Sequence, residues 1–492
     1  MIRALSDLIA LNLLHVGGIL PEIILTAGIV LLLITDLLAP KNVLMRWGHR
    51  LPASITIGVV ITAGMVLWRV WLQTPPETMD DLFSQTLFFD RKNLSAQMVI
   101  LLGTVGVVIL SWVHQPLWYQ TTIDKPRNGA TEFYMMLLGA VLGCMILVRA
   151  NHWVLIYLAL ETVSLSSYVL TAFRRDDPRS AEASIKFFLY GSLASAVMLF
   201  GVSLQYGMTG SLLLSESAIP EGQPLSAVVF TYLLLLTGIG YKIALVPFHF
   251  WMPDAIEGSS LPVSAFLSTV PKVAGFIWLT RWVQSTESVA NPMLPVLAGL
   301  AILTMTWGNL SAYFQPSFKR MMAYSGIAHT GYLTAGVLTG SAHEEAIIIY
   351  LVLYTIITIG AFASAERLAS DHMKDWRGLG SEMPVTAFHL TVSMLALTGL
   401  PPTVGFVAKL QVIIALMTAG EKEYLFIWLA VAIILNTVLS LFYYLKPPTE
   451  VIIRKKEATE ETILAPTPLL LNILCWVCSL VMIGGILLWG KI

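Results

Sequence analysis

The run Tyr241-Lys242-Ile243-Ala244-Leu245-Val246-Pro247-Phe248-His249-Phe250-Trp251-Met252-Pro253-Asp254 decides how this chain is read. It closes an apolar stretch that begins near residue 225 and is long enough to cross a bilayer as a helix, for which about twenty residues suffice. Two features disturb that helix. Pro247 and Pro253 each remove a backbone donor and crowd the preceding turn, so the span is predicted to be discontinuous. Lys242 lies far from a span end, where insertion scales put a lipid-facing charge at about 2.5–3.5 kcal/mol. Its ammonium must face the interior of a helix bundle.

Similar apolar windows recur along all 492 residues. They predict an all-α membrane protein of about fourteen spans, near 17–38, 51–72, 93–114, 131–149, 152–172, 185–207, 225–249, 261–283, 292–314, 320–340, 345–366, 385–417, 424–445 and 467–490. With 56% hydrophobic and 12% charged residues, about half the charge share of an ordinary domain, a soluble globule is excluded. The connecting segments leave no room for a soluble domain. The 29 Lys+Arg nearly balance the 30 Asp+Glu, so there is no footprint for nucleic acid. Of three cysteines, Cys144 stands alone and Cys475-x-x-Cys478 lies within an apolar run, which argues against metal or redox chemistry. Met1–Leu14 carries only Arg3 and no cleavage signature, so the first span is expected to be uncleaved. Odd-numbered loops hold seventeen Lys and Arg, among them Lys41, Arg46, Lys125, Arg127, Arg320 and Lys456. Even loops and termini hold seven: Arg3, Arg91, Lys92, Arg149, Arg281, Lys422 and Lys491. That bias puts the odd loops in the cytoplasm and both termini outside.

A second break is predicted in the twelfth span, where Thr398-Gly399-Leu400-Pro401-Pro402 lies mid-span, and Pro271 is expected to interrupt the eighth. The seventh and twelfth spans both approach their breaks through Leu-Thr-Gly, at 236–238 and 397–399. Broken helices in corresponding places point to an inverted-repeat transporter with its site at the breaks. The expected organisation is an N-terminal group of helices 1–3 (1–130), two inverted five-helix repeats (131–283 and 292–445, helices 4–8 and 9–13) and a C-terminal loop and helix (446–492).

The other buried charges are Glu161 in the fifth span, Lys272 in the eighth, Lys409 in the twelfth and Lys186 near the start of the sixth. One carboxylate for several lysines is too few to hold them all in static ion pairs. A buried lysine can instead change protonation state: burial favours the neutral amine and a nearby carboxylate favours the ammonium. A charge pair ~4 Å apart is worth roughly 4 kcal/mol at an effective dielectric of ~20, so a movement of a few ångströms can load or release a proton. Imidazoles titrate near neutrality and could serve as stations. His249 at the first break and His329 in the tenth span are the candidates, with His389 more simply a hydrogen-bonded core residue. Glu22 and Glu132 near span ends, and Asp254 and Glu257 in a loop, are read as solvated. No nucleotide-binding loop, iron–sulfur cysteine spacing or haem-type histidine pair is present, so the energy for any transport must come from outside the chain.

The segments Ala183-Ser184-Ile185-Lys186-Phe187, Tyr241 to Asp254, Pro262-Val263-Ser264-Ala265-Phe266-Leu267 and Ala323-Tyr324-Ser325-Gly326-Ile327-Ala328-His329 resemble the antiporter-like proton-pumping subunits of respiratory complex I and the related Mrp cation/proton antiporters. The resemblance runs over roughly 130–445. It implies the fourteen-span inverted-repeat fold, with Glu161 and Lys242 as a coupled ion pair, Lys272 as central relay, Lys409 nearest the second half-channel, and Lys186 and His249 as auxiliary positions. The family often has serine where this chain has Gly326. Lysine rather than glutamate at 409, in a chain too short for a lateral helix, resembles the N-type branch of the NADH:quinone oxidoreductase. The resemblance implies proton pumping driven by electron transfer elsewhere, neighbouring antiporter-like and small membrane subunits as partners, and an inner (plasma) or equivalent energy-transducing membrane. Flavin, iron–sulfur clusters and quinone would belong to partner subunits, with no cofactor or metal in this chain. The alternative reading is a subunit of an Mrp-type cation/proton antiporter.

Overall fold

The computed structural model describes residues 17–38, 48–74, 80–82, 85–118, 129–220, 222–286, 293–368, 370–420, 424–455 and 468–489. The expectations resting on Arg3, Lys41, Arg46, Lys125, Arg127, Lys422, Lys456 and Lys491, and on an uncleaved N-terminus, lie outside these residues. The main helices are α1 (Leu20–Leu38), α2 (Arg50–Gln73), α3 (Arg91–Val113), α4 (Ala130–Arg149), α5 (Trp153–Thr171), α6 (Pro178–Thr209), α7 (Leu225–Ile243) and α8 (Trp251–Gly258). They continue with α9 (Leu261–Ser285), α10 (Leu294–Tyr313), α11 (Phe318–Val337), α12 (Glu344–Glu366), α13 (Pro384–Thr398), α14 (Val404–Ala419), α15 (Tyr424–Tyr444) and α16 (Leu469–Trp489). Eleven are long and apolar enough to cross a membrane, with α13, α14 and part of α16 shorter but apolar. This is a multi-pass membrane protein. Among the described residues, the all-α reading gains a small antiparallel hairpin, Asp80–Leu82 with Leu87–Phe89, between α2 and α3.

Core position follows from packing around α9, which touches α3, α4, α7, α11 and α12, and whose most apolar window is wholly buried. That packing explains why Pro271 does not interrupt the eighth span, contrary to the sequence expectation. Leu261–Ser285 runs unbroken through it, because neighbours on every side hold the helix where a lone proline would end it. At the periphery, only 28% and 33% of the apolar windows of α1 and α2 are covered by the chain itself.

Both predicted breaks are present, and both end in the same cap. At the first, Leu245 N bonds to Gly240 O and Ala244 N to Tyr241 O; at the second, Leu400 N bonds to Leu395 O and Gly399 N to Ala396 O. These are paired six-to-one and five-to-two bonds around a left-handed residue, Gly399 at φ 82° and Ala244 at φ 59°. Glycine adopts that conformation freely, whereas alanine in it costs roughly 1–2 kcal/mol. Surrounding bonds hold the strained turn: Val246 N donates to Thr304 Oγ1 at 3.1 Å, Thr330 Oγ1 to Ile243 O at 2.6 Å and Trp251 Nε1 to Tyr241 O at 2.8 Å. Backbone groups released by the break thus find protein partners, as a low-dielectric interior requires.

Four charges read from sequence as solvated or as loop residues are placed differently. Asp254 and Glu257 lie on helix α8 and are both ion-paired to Arg320. Glu22, 8% exposed, pairs with Arg149, 1% exposed, whose guanidinium folds back into the bundle from the last turn of α4. A span end is solvated only where no neighbouring helix covers it, and α1, α3 and α4 converge on this one. Glu132 is exposed, as expected.

Candidate functional site

Lys242 occupies the last turn of α7, 5% exposed, where the negative end of the helix dipole favours a cation. Its Nζ lies 3.4 Å from Ser164 Oγ on α5. Glu161 sits one turn before Ser164 on the same helix, with Oε1 buried and without a hydrogen-bond partner. The two residues expected to pair are therefore brought to one place but not into contact, and Ser164 takes the lysine.

Toward the odd-loop end, Lys186 is not deeply buried. Its Nζ contacts Glu182 Oε1 at 2.7 Å and Asp254 Oδ2 at 3.1 Å, while Arg320 Nη1 contacts Asp254 Oδ1 at 2.9 Å and Glu257 Oε2 at 2.6 Å. Asp254 thereby ties α6, α8 and α11 together. His249, 3% exposed, sits in the first break with Nδ1 unpartnered and its ring 6.1 Å from that of Trp307.

A tighter constellation spans the two halves. Lys272 Nζ donates to Gly326 O at 2.6 Å and lies 5.7 Å from the Tyr354 ring centre. Tyr354 is 4.9 Å from the His329 ring, and Tyr332 is 5.6 Å from it on another side. Lys409 Nζ is 4.7 Å from the Tyr332 ring and donates to Thr398 O at 2.8 Å, closing the C-terminus of α13 across the break. His329 Nδ1 meets Tyr350 OH at 2.8 Å and Nε2 meets Tyr444 OH at 3.1 Å. A neutral imidazole between two hydroxyls donates at one nitrogen and accepts at the other, so a proton can arrive on one side and leave on the other. Lys272, His329 and Lys409 thus share one buried aromatic cluster.

Sequence reasoning missed Tyr332, Tyr350, Tyr354 and Tyr444. Tyr350 and Tyr354 are four apart on α12, a spacing that puts both on one helix face. Nothing linear ties them to residue 329. His389 bonds Ser479 Oγ through Nδ1 at 2.7 Å and stands edge-on to Trp476, as a core histidine would. Among the described residues, no group of three or more His, Cys, Asp or Glu side chains is arranged to hold a metal. A cavity of about 460 Å³ opens beside the C-terminal end of α9, lined by polar groups that include Asp90, Lys92, Thr280, Arg281 and Glu344.

Residues 150–440 match the family described as NADH:quinone oxidoreductase/Mrp antiporter, TM. The sequence is 33% identical over 467 residues to NADH-quinone oxidoreductase subunit N 2 of Chloroherpeton thalassium, covering 91% of this chain and 87% of that protein. A chain of respiratory complex I from Thermus thermophilus with bound aureothin superposes with a TM-score of 0.78 at 31% identity, covering 96% and 97% of the two chains. A chain of the Mrp complex from Dietzia sp. shares the fold with a TM-score of 0.78 at 18% identity, covering 97% and 95%.

Proposed function

This chain belongs to the NADH:quinone oxidoreductase/Mrp antiporter membrane family, and we propose that it is the N-type proton-translocating subunit of a complex I, driven by electron transfer in partner subunits. The observation that carries the proposal is the set of lysines held at two helix breaks and around one histidine, inside a membrane bundle. In this reading Lys186, Glu161 and Lys242 with His249 form one half-path, and Lys272, His329 and Lys409 form the other. Each of the repeats at 131–283 and 292–445 contains one broken span, and Lys272, on the last helix of the first repeat, joins the carriers of the second. The chain supplies carriers and their spacing, while flavin, iron–sulfur and quinone chemistry belongs to its partners. The membrane is an energy-transducing inner one, with odd-numbered loops on the cytoplasmic side.

Solubilising the membrane with the chain tagged tests this assignment. Flavin and iron–sulfur proteins are expected to co-purify stoichiometrically. Sodium–proton exchange by the chain alone in liposomes, with no such partners, would transfer it to the antiporter branch.

Gly326 offers a finer test. A Cβ there would lie 2.8 Å from Lys272 Nζ and 2.7 Å from Met252 Cε. Gly326→Ala is expected to push the ammonium off Gly326 O at little packing cost, since both close atoms end flexible side chains, and to lower proton-coupled turnover severalfold in assembled complex. Unchanged turnover would show that this hydrogen bond does not position the lysine.

A further inference from the structure

Two cations from different parts of the chain share the carboxylate of Asp254. Lys186, on α6, meets Oδ2 at 3.1 Å, and Arg320, in the first turn of α11, meets Oδ1 at 2.9 Å through Nη1. The same Nη1 reaches Glu257 Oε2 at 2.6 Å, one turn further along α8, so Arg320 straddles both carboxylates of that short helix. Lys186 has a second carboxylate on its own helix, the exposed Glu182, at 2.7 Å. From α5 and α7 come the phenols Tyr168 and Tyr241, both turned to the neighbouring Phe187, with Glu161 about two turns from Tyr168 on α5. Sharing one carboxylate sets the two cations in competition. A carboxylate beside an ammonium favours the charged form, and a second cation on that carboxylate offsets part of the attraction. Water weakens each of these part-exposed pairs, so the balance between them is fine enough to shift.

We propose that Arg320 is a positioning residue for proton entry: by taking one oxygen of Asp254 it keeps Lys186 able to release its proton into the first half-path. The inference rests on Lys186 being a carrier, as in the function proposed above. Without Arg320, Asp254 would turn its whole charge on Lys186 and hold the ammonium in place. The setting of Arg320 also links the two half-paths. Its neighbour Lys319 donates from Nζ to Glu257 O at 2.5 Å and to Ser259 O at 2.9 Å, so the start of α11 grips the end of α8. Nine residues beyond Arg320, a rise of about 14 Å, α11 carries His329, and between them Gly326 O accepts from Lys272. The helix that presents the imidazole of the second half-path thus also governs the entry lysine of the first.

The test uses the intact complex in sealed vesicles, with donor-driven proton translocation normalised to the amount of assembled complex. Arg320→Met is expected to lower translocation about tenfold, the equivalent of one unit in the proton affinity of Lys186. Arg320→Lys, which keeps a cation beside Asp254, should restore most of it. Adding Asp254→Asn to Arg320→Met should restore most of it as well, because the carboxylate that holds Lys186 too tightly is then neutral. A merely structural arginine predicts the reverse, a double variant worse than Arg320→Met alone. That result, translocation indifferent to Arg320→Met, or no recovery with Arg320→Lys would each overturn the proposal. Lys186→Met tells its failure from that of the wider reading. If translocation survives Lys186→Met, the first half-path falls and the proposal with it; if translocation is lost there while the Arg320 and Asp254 losses simply add, the proposal alone falls.

Discussion

Lys272→Met in the assembled complex is expected to slow proton transfer through this subunit by roughly a hundredfold, the low end of what a positioned proton carrier contributes, while leaving the complex assembled. Methionine matches the lysine stem in length and flexibility, so it keeps the packing while removing the donor to Gly326 O. Arginine gives the sharper comparison. Its guanidinium can still donate to Gly326 O and lie against Tyr354, but it does not release a proton in proteins. A structural cation would be restored by Lys272→Arg, whereas a carrier would not. Proton translocation per electron and donor-driven turnover, measured on the same vesicles, separate the two. Recovery with arginine would reduce Lys272 to a static contact and remove the central link between the two half-paths.

What the sequence could disclose was set by which features are local. Spans and breaks are local: a run of apolar residues, a proline pair at 401–402, Pro247 and Pro253. Pro271 shows the limit, since whether a proline ends a helix depends on the surroundings, and α9 is packed on every side. Buried lysines were legible because their cost in lipid is a property of position along a span. Their partners were not. Lys242 meets Ser164 from 78 residues away, Lys272 meets Gly326 from 54, and His329 is held by Tyr444 from 115. Acidic residues were misread for the same reason, because solvation at a span end is decided by neighbouring helices. Asp254 illustrates it: Lys186 of α6 and Arg320 of α11 meet on one carboxylate that sequence alone assigns to a loop.

Arg149→Ala is expected to destabilise the chain by about 3–5 kcal/mol, the cost of breaking a buried ion pair and leaving its partner charge uncompensated. Besides Glu22, the guanidinium serves Gly18 O at 2.6 Å and Phe88 O at 3.2 Å, so truncation orphans two carbonyls as well. The penalty comes from what is left behind more than from the pair itself, because removing two charges from water nearly cancels their attraction. Arg149→Ala combined with Glu22→Gln therefore should recover part of the loss, since no unpaired charge remains and Gln97 can still bond residue 22, while Gly18 O and Phe88 O stay without the guanidinium. Thermal or denaturant midpoints of the purified complex, read as a double-mutant cycle, give the coupling directly. A single-mutant cost below about 1 kcal/mol would mean that water reaches Glu22, as at exposed pairs.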